Sequence, residues 1–206
     1  MFNRLCLVLL ISSPLFAGDF TEKLTRDLTT VTLEAAPTIH IVNSRGEVAI
    51  EGWDRPDVEI TVMRYAMKKD APLDRLQVKS QRHGDEIEIR TLVGKDQGRD
   101  VLADYAIHAP RASKLVIDAL NGGVYTDGIG GEIHAIARRG QITLRVASAP
   151  ALEAHTKRGQ VYSEFPTEDK RHAWMRYDVT AAGGGQKLDL RTEWADIVIL
   201  KTVAAP

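Results

Sequence analysis

Four glycines stand in one apolar frame, and that frame restricts the chain to stacked β-strands. With Gly46, Gly122, Gly140 and Gly159 set at position zero, the flanking segments read IHIVNSRGEVAI, LVIDALNGGVYT, IHAIARRGQITL and LEAHTKRGQVYS. Seven residues before the glycine stand Ile39, Leu115, Ile133 and Leu152; five before stand Ile41, Ile117, Ala135 and Ala154; two after stand Val48, Val124, Ile142 and Val161. All are apolar. The alternation has period two on both sides of the glycine, as expected of strands that bury one face. The last segment, LDLRTEWADIVI, fits with Ala195 at zero, which puts Leu188, Leu190, Ile197 and Ile199 at the same places.

Each unit is therefore strand, tight turn, strand. Its corner needs either a positive φ or close approach of the next unit's backbone, and glycine allows both. The interval is 18 residues from 122 to 140 and 19 from 140 to 159. Such units bury a continuous apolar column when they stack and pair with their equivalents. The expected fold is all-β: a β-solenoid of coils of about 18–19 residues. A plain antiparallel sandwich with glycine turns is the rival, and the near-constant spacing favours the solenoid. From 159 to 195 is 36 residues, or two units, so a degenerate coil is expected between them.

Residues 54–110 repeat the frame poorly. VEITVMRYAM (58–67) and EIEIRTLV (86–93) alternate strongly, YAIHAP (105–110) is a short strand ended by proline, and a hairpin is expected to turn at His83-Gly84-Asp85. This stretch predicts an antiparallel hairpin layer toward the N-terminal end, blunting the open edge of the stack.

The N-terminus has the pattern of an export signal. Arg4 precedes the apolar run LCLVLLI, then Ser12, Ser13 and Pro14 break it, and Ala17 is a small residue at the expected cut. The run is too short to span a bilayer, which takes about 20 apolar residues. The expected organisation is a signal peptide at 1–17, a leader at 18–36 and one β-domain at 37–206. Cys6 is the only cysteine, and it lies inside the signal. A mature chain without a thiol has no disulfide, thiolate metal site or cysteine nucleophile. Lys and Arg number 27 against 28 Asp and Glu, a balance that excludes a general nucleic-acid binder.

Together, IVNSRGEVAIEGWDRPDVEITV, YAIHAPRASKLVIDALNGGVYTDGIGGEIHAIARRGQITL and LDLRTEWADIVIL resemble the bacterial putative-adhesin family across roughly residues 37–201. The most specific stretch runs from Pro110 to Val124 and on from Gly131 to Leu144. The family's last coil usually has glycine where this chain has Ala195. The resemblance implies an exported domain of β-strand repeats with no established enzymatic activity. The sequence has no phosphate loop or dinucleotide motif, so no cofactor is expected.

Candidate chemistry is sparse. Arg138, Arg139, Lys157 and Arg158 stand one and two residues before their glycines, with Arg45 in the first unit. Stacking is expected to line them up as a basic stripe, which reads either as solvated turn residues or as a contact for an anionic glycan, a lipid or an envelope protein. Asp127, Arg145 and Glu164 share the position five after zero and are expected about 5 Å apart as a surface ion-pair ladder. Trp53, Trp174 and Trp194 are candidates for a carbohydrate-stacking surface. The six histidines show no metal-ligand spacing. GGG at 183–185 reads as a flexible turn. The favoured function is a non-enzymatic binding or structural module of the cell envelope. The rival is an envelope polysaccharide enzyme, for which the sequence offers no convincing acid pair.

Overall fold

A computed structural model describes residues 24–32, 37–68, 71–93, 100–172 and 176–202. The signal at 1–17 and Trp174 lie outside the described residues. In chain order the strands are β1 (Leu24–Thr32), β2 (Thr38–Asn43), β3 (Val48–Trp53), β4 (Asp57–Ala66), β5 (Gln77–His83), β6 (Glu86–Leu92), β7 (Val101–Pro110), β8 (Lys114–Ala119) and β9 (Val124–Asp127). They continue as β10 (Ile133–Ala137), β11 (Ile142–Val146), β12 (Ala151–Thr156), β13 (Val161–Ser163), β14 (Glu168–His172), β15 (Arg176–Ala182), β16 (Lys187–Thr192) and β17 (Ile197–Lys201).

The fold is all-β, in two mixed sheets. One has the order β1-β4-β7-β3-β9-β11-β17-β13, and the other β14-β15-β12-β16-β10-β8-β2-β6-β5. In each sheet the run from the β6–β7 level to the β12–β13 level is parallel. Antiparallel strands flank it: β4 and β1 beside β7, β5 beside β6, and β15 and β14 beside β12. Neither sheet closes.

The apolar frame is the pairing register. Ile39 pairs with Leu115, Leu115 with Ile133, Ile133 with Leu188 and Leu188 with Leu152. On the other sheet Val48, Val124, Ile142, Ile197 and Val161 form the matching row. All of these are buried except Val161, which is half-buried, and the inward faces of both sheets share one core. Each fully buried aliphatic side chain contributes about 1.5–3 kcal/mol relative to exposure.

The corner between each strand pair is set by backbone contact. Only Gly46 among the four corner glycines has a positive φ, of 107°. At the others the constraint is space: a Cβ on Gly122 would stand 1.8 Å from the Gly46 carbonyl oxygen, and one on Gly140 1.9 Å from that of Gly122. Buried side chains complete the corners. Asn43 Nδ2 donates to the carbonyls of Gly46 (3.0 Å) and Ala103 (2.9 Å), and its Oδ1 accepts from Thr91 (3.0 Å). The Thr91 hydroxyl also meets that of Tyr105, which burial pushes up to a pKa of about 12.

Three expectations are corrected. First, residues 54–110 contribute a parallel level as well as antiparallel strands. Ile87 and Ile89 of β6 pair with Ile39 and Ile41, and Tyr105 and Ile107 of β7 pair with Val48 and Ile50. The frame is hidden because eight residues, 93–100, separate β6 from β7 in the sequence, where four separate β2 from β3. Second, no degenerate coil lies between the units at 159 and 195. The chain passes from β11 to β12–β13, leaving a gap, turns outward as the antiparallel pair β14–β15, and returns to fill the gap with β16–β17. Third, the glycines at 183–185 are not a free turn. Gly183 N donates to the Pro150 carbonyl (3.1 Å) and Gly185 N to that of Ala149 (3.1 Å), and a Cβ on Gly183 would meet Pro150 O at 2.2 Å. They let the returning segment pass against the segment that left the gap.

Charge also follows the stack. Glu132 sits between Lys114 (2.9 Å) and Lys187 (3.0 Å), at the entry to three neighbouring strands. The two ammonium groups hold its carboxyl down at about 2, and Glu132 in turn raises Lys187.

Three outcomes follow from this geometry. Gly122→Ala lowers unfolding free energy by at least about 2 kcal/mol in urea melts, because backbone must move. Gly184→Ala, with nothing within 4 Å of its Cβ, stays within about 0.5 kcal/mol of wild type. The Glu132 carboxylate is favoured in the folded state, so its contribution is full above the ordinary carboxylate range and fades as pH falls toward 2. Urea midpoints of wild type and Glu132→Gln therefore differ at pH 7 and converge on acidification, and added salt narrows the gap.

Candidate binding surface

The corner turns stack into a ridge along one side of the molecule. Each unit places the two residues before position zero on it: Ser44-Arg45, Leu120-Asn121, Arg138-Arg139, Glu193-Trp194 and Lys157-Arg158. The four candidate cations, Arg138, Arg139, Lys157 and Arg158, are exposed there. They do not form the uninterrupted stripe that sequential stacking predicts. Because β16–β17 fills the gap, Glu193 and Trp194 stand between the two basic turns, with the Glu193 and Trp194 amides donating to Arg138 O (3.3 and 3.2 Å).

The inserted pair changes the chemistry of the ridge. Lys157 Nζ lies 3.3 Å from Glu193 Oε1, and the Arg158 guanidinium sits 4.0 Å over the Trp194 ring. Arg138 and Arg139 form no ion pair among the described residues. Arg45, the expected first member, turns toward the sulfur of Met67 (3.8 Å). Four cations thus meet one carboxylate, and an exposed indole sits among them. The position of Trp194 in the frame was readable from Ala195 at zero; its neighbours were not, because they depend on the spatial order of the units.

Beside the ridge, on the outer face of the nine-stranded sheet, lies an open cleft of ≈ 630 Å³ bordered by Arg138, His155, Lys157, Arg191 and Glu193. Its polar groups are mostly matched within the protein. His155 Nδ1 is 2.6 Å from Asp178 and Nε2 3.2 Å from Glu153. Arg191 grips Asp189 with two bonds of 3.1 and 3.2 Å, and Asp189 also meets His134 Nδ1 at 2.8 Å. Both lining hydroxyls, Thr156 and Thr192, donate to the Ala195 carbonyl oxygen at 3.0 and 2.5 Å. Among the described residues the cleft presents neither a freed nucleophile nor an unpaired general base, and Arg138 is a charge without an ion pair there.

The other candidates are dispersed. Asp127 and Arg145 are adjacent, at 4.0 Å, but Glu164 is not the third rung. β17 lies between β11 and β13, and Glu164 instead accepts from the Lys201 amide at 2.6 Å. Trp53 is at the far end of β3 from the ridge, stacked on His108 with ring centres 5.2 Å apart, so it shares no surface with Trp194. His108 lies 3.6 Å from both Glu51 and Glu59. Among the described residues no three His, Cys, Asp or Glu side chains are grouped to hold a metal ion. No helix among them is long and apolar enough to cross a membrane.

No family model matches the chain, and no curated protein does. Solved structures do. A "putative cell adhesion protein" from Clostridium sporogenes aligns over 87% of this chain and 100% of its own, at 11% identity and a TM-score of 0.49. A "putative lipid binding protein" from Parabacteroides distasonis aligns over 86% of this chain and 67% of its own, at 8% identity and 0.30. A "putative adhesin" from Bacteroides fragilis aligns over 85% of this chain and 97% of its own, at 10% identity and 0.25. At such identities and TM-scores the surface itself, not the neighbours' names, carries the functional reading.

Proposed function

We propose that the chain is an exported, non-enzymatic binding module of the bacterial cell envelope, built as a short β-solenoid with antiparallel ends. Its ridge of turns holds an anionic partner. In-register parallel pairing of successive strand–turn–strand units supports the solenoid. The observation that carries the binding reading is the pair Arg138 and Arg139, exposed and without ion pairs among the described residues, on a ridge that also bears Lys157 and Arg158. Two like charges side by side on one turn repel. Nothing in the packing needs them there, whereas a phosphate or carboxylate partner does. A polysaccharide enzyme needs two converging carboxylates, and Asp127 is matched by Arg145 instead.

The test is a glycan-array and lipid-overlay screen of the chain from Gly18 onward, beside a variant with Arg138, Arg139, Lys157 and Arg158 all changed to Ser. The expected result is binding to anionic glycans or lipids that the variant loses. Equal binding by the variant removes the ridge from the account.

A further inference from the structure

The ridge carries apolar as well as cationic groups. Leu120 is 40% exposed and Trp194 51% exposed, both on turns where alternation does not demand an apolar residue. The Arg138-Arg139 turn lies between them: the Arg138 amide donates to Ala119 O on one side, and the Trp194 amide donates to Arg138 O on the other. At one strand spacing per turn, about 4.8 Å, the two apolar side chains are anchored roughly 10 Å apart. The turns hold each other by backbone contact, so the ridge is a stiff line and not a set of loose loops.

We infer that this ridge docks on the surface of an anionic bilayer, with Leu120 and Trp194 seated in the interface and Arg138, Arg139, Lys157 and Arg158 on the headgroups. The inference rests on the ridge's being the binding surface proposed above and names its partner. A soluble anion would be satisfied by the cations alone. It gives no reason for an exposed leucine and indole interleaved with them. A bilayer interface takes both: indole settles at headgroup depth, aliphatic side chains reach the acyl boundary, and long cationic side chains lay their stems on the apolar layer while their charges stay at the phosphates. The Arg158 guanidinium over the Trp194 ring already has that arrangement. Glu193 is held by Lys157, and Asp196, the exposed carboxylate that follows the same turn, accepts the Gln160 amide at 2.8 Å, so each is engaged within the protein.

The experiment is sedimentation of the chain from Gly18 with phosphatidylcholine vesicles, with and without phosphatidylglycerol, and with brominated acyl chains for Trp quenching. Binding is expected only with phosphatidylglycerol, and it weakens with salt. Quenching and a blue shift are expected in wild type and lost in Trp194→Phe. Changing Arg138 and Arg139 to Ser lowers partitioning roughly thirtyfold, about fivefold per charge. Leu120→Ser with Trp194→Ser lowers it at unchanged charge, and all variants keep the wild-type thermal melt. Vesicle binding without Trp194 quenching, or unaffected by the Leu120 and Trp194 changes, overturns the inference and leaves a headgroup-only ridge. Failure to bind vesicles while a soluble anionic glycan binds overturns it and leaves the proposed binding role standing. If the four-Ser variant matches wild type on every ligand, both fall.

Discussion

Close backbone contact at the corner is the constraint on which the remaining architecture depends. Gly46, Gly122 and Gly140 place one peptide directly against the next, with no room for a Cβ between. That contact fixes the spacing and the register of successive turns. Register in turn decides burial, because a one-residue slip would carry every apolar side chain to solvent. The rows from Ile39 to Leu152 and from Val48 to Val161 are thus consequences of the corners as much as of hydrophobicity.

The same geometry makes the surface. Strands buried on one face leave their other face and their turns to solvent, and the stack repeats those positions at strand spacing. Side chains chosen independently in sequence become neighbours: Lys114, Glu132 and Lys187 in one line, Asp127 and Arg145 in another, and the basic and aromatic turns in a third. The first two lines alternate in sign, so each charge faces an opposite one. The ridge does not, and the proposed binding role rests on that difference.

Much of the fold was legible in the residues. The period-two alternation around each glycine identified the strands, and the shared frame identified which side chains would lie in one register row. The hairpin at His83-Gly84-Asp85 was legible too, and Gly84 does take a positive φ of 61°. What could not be read was spatial order. Equal spacing suggests that units stack as they occur, yet the unit ending in Lys201 sits between those ending in Val146 and Ser163. Local sequence is silent on this point because every unit offers the same apolar face to every other. The discriminating features are remote: the antiparallel pair β14–β15, which occupies the outer edge of β12, and the crossing of Gly183 and Gly185 over Ala149-Pro150. The candidate site inherited that blindness. The four cations were legible, but not the Glu193-Trp194 turn that divides them.

The insertion of the last unit is therefore the claim on which both the fold and the ridge rest, and pairwise disulfide trapping tests it most directly. Ile136, Arg191 and His155 occupy one register row on the outer face of neighbouring strands. The chain from Gly18 has no natural thiol, so cysteines placed there report only on each other. Adjacent strands bring Cα atoms to about 5 Å, within reach of a disulfide, whereas two strand steps give about 10 Å, which is not. Under mild oxidation, Arg191→Cys is expected to cross-link with either Ile136→Cys or His155→Cys, and the Ile136→Cys/His155→Cys pair is expected to stay reduced. Rapid cross-linking of that last pair, with none to position 191, would contradict the order of units and dissolve the ridge described above.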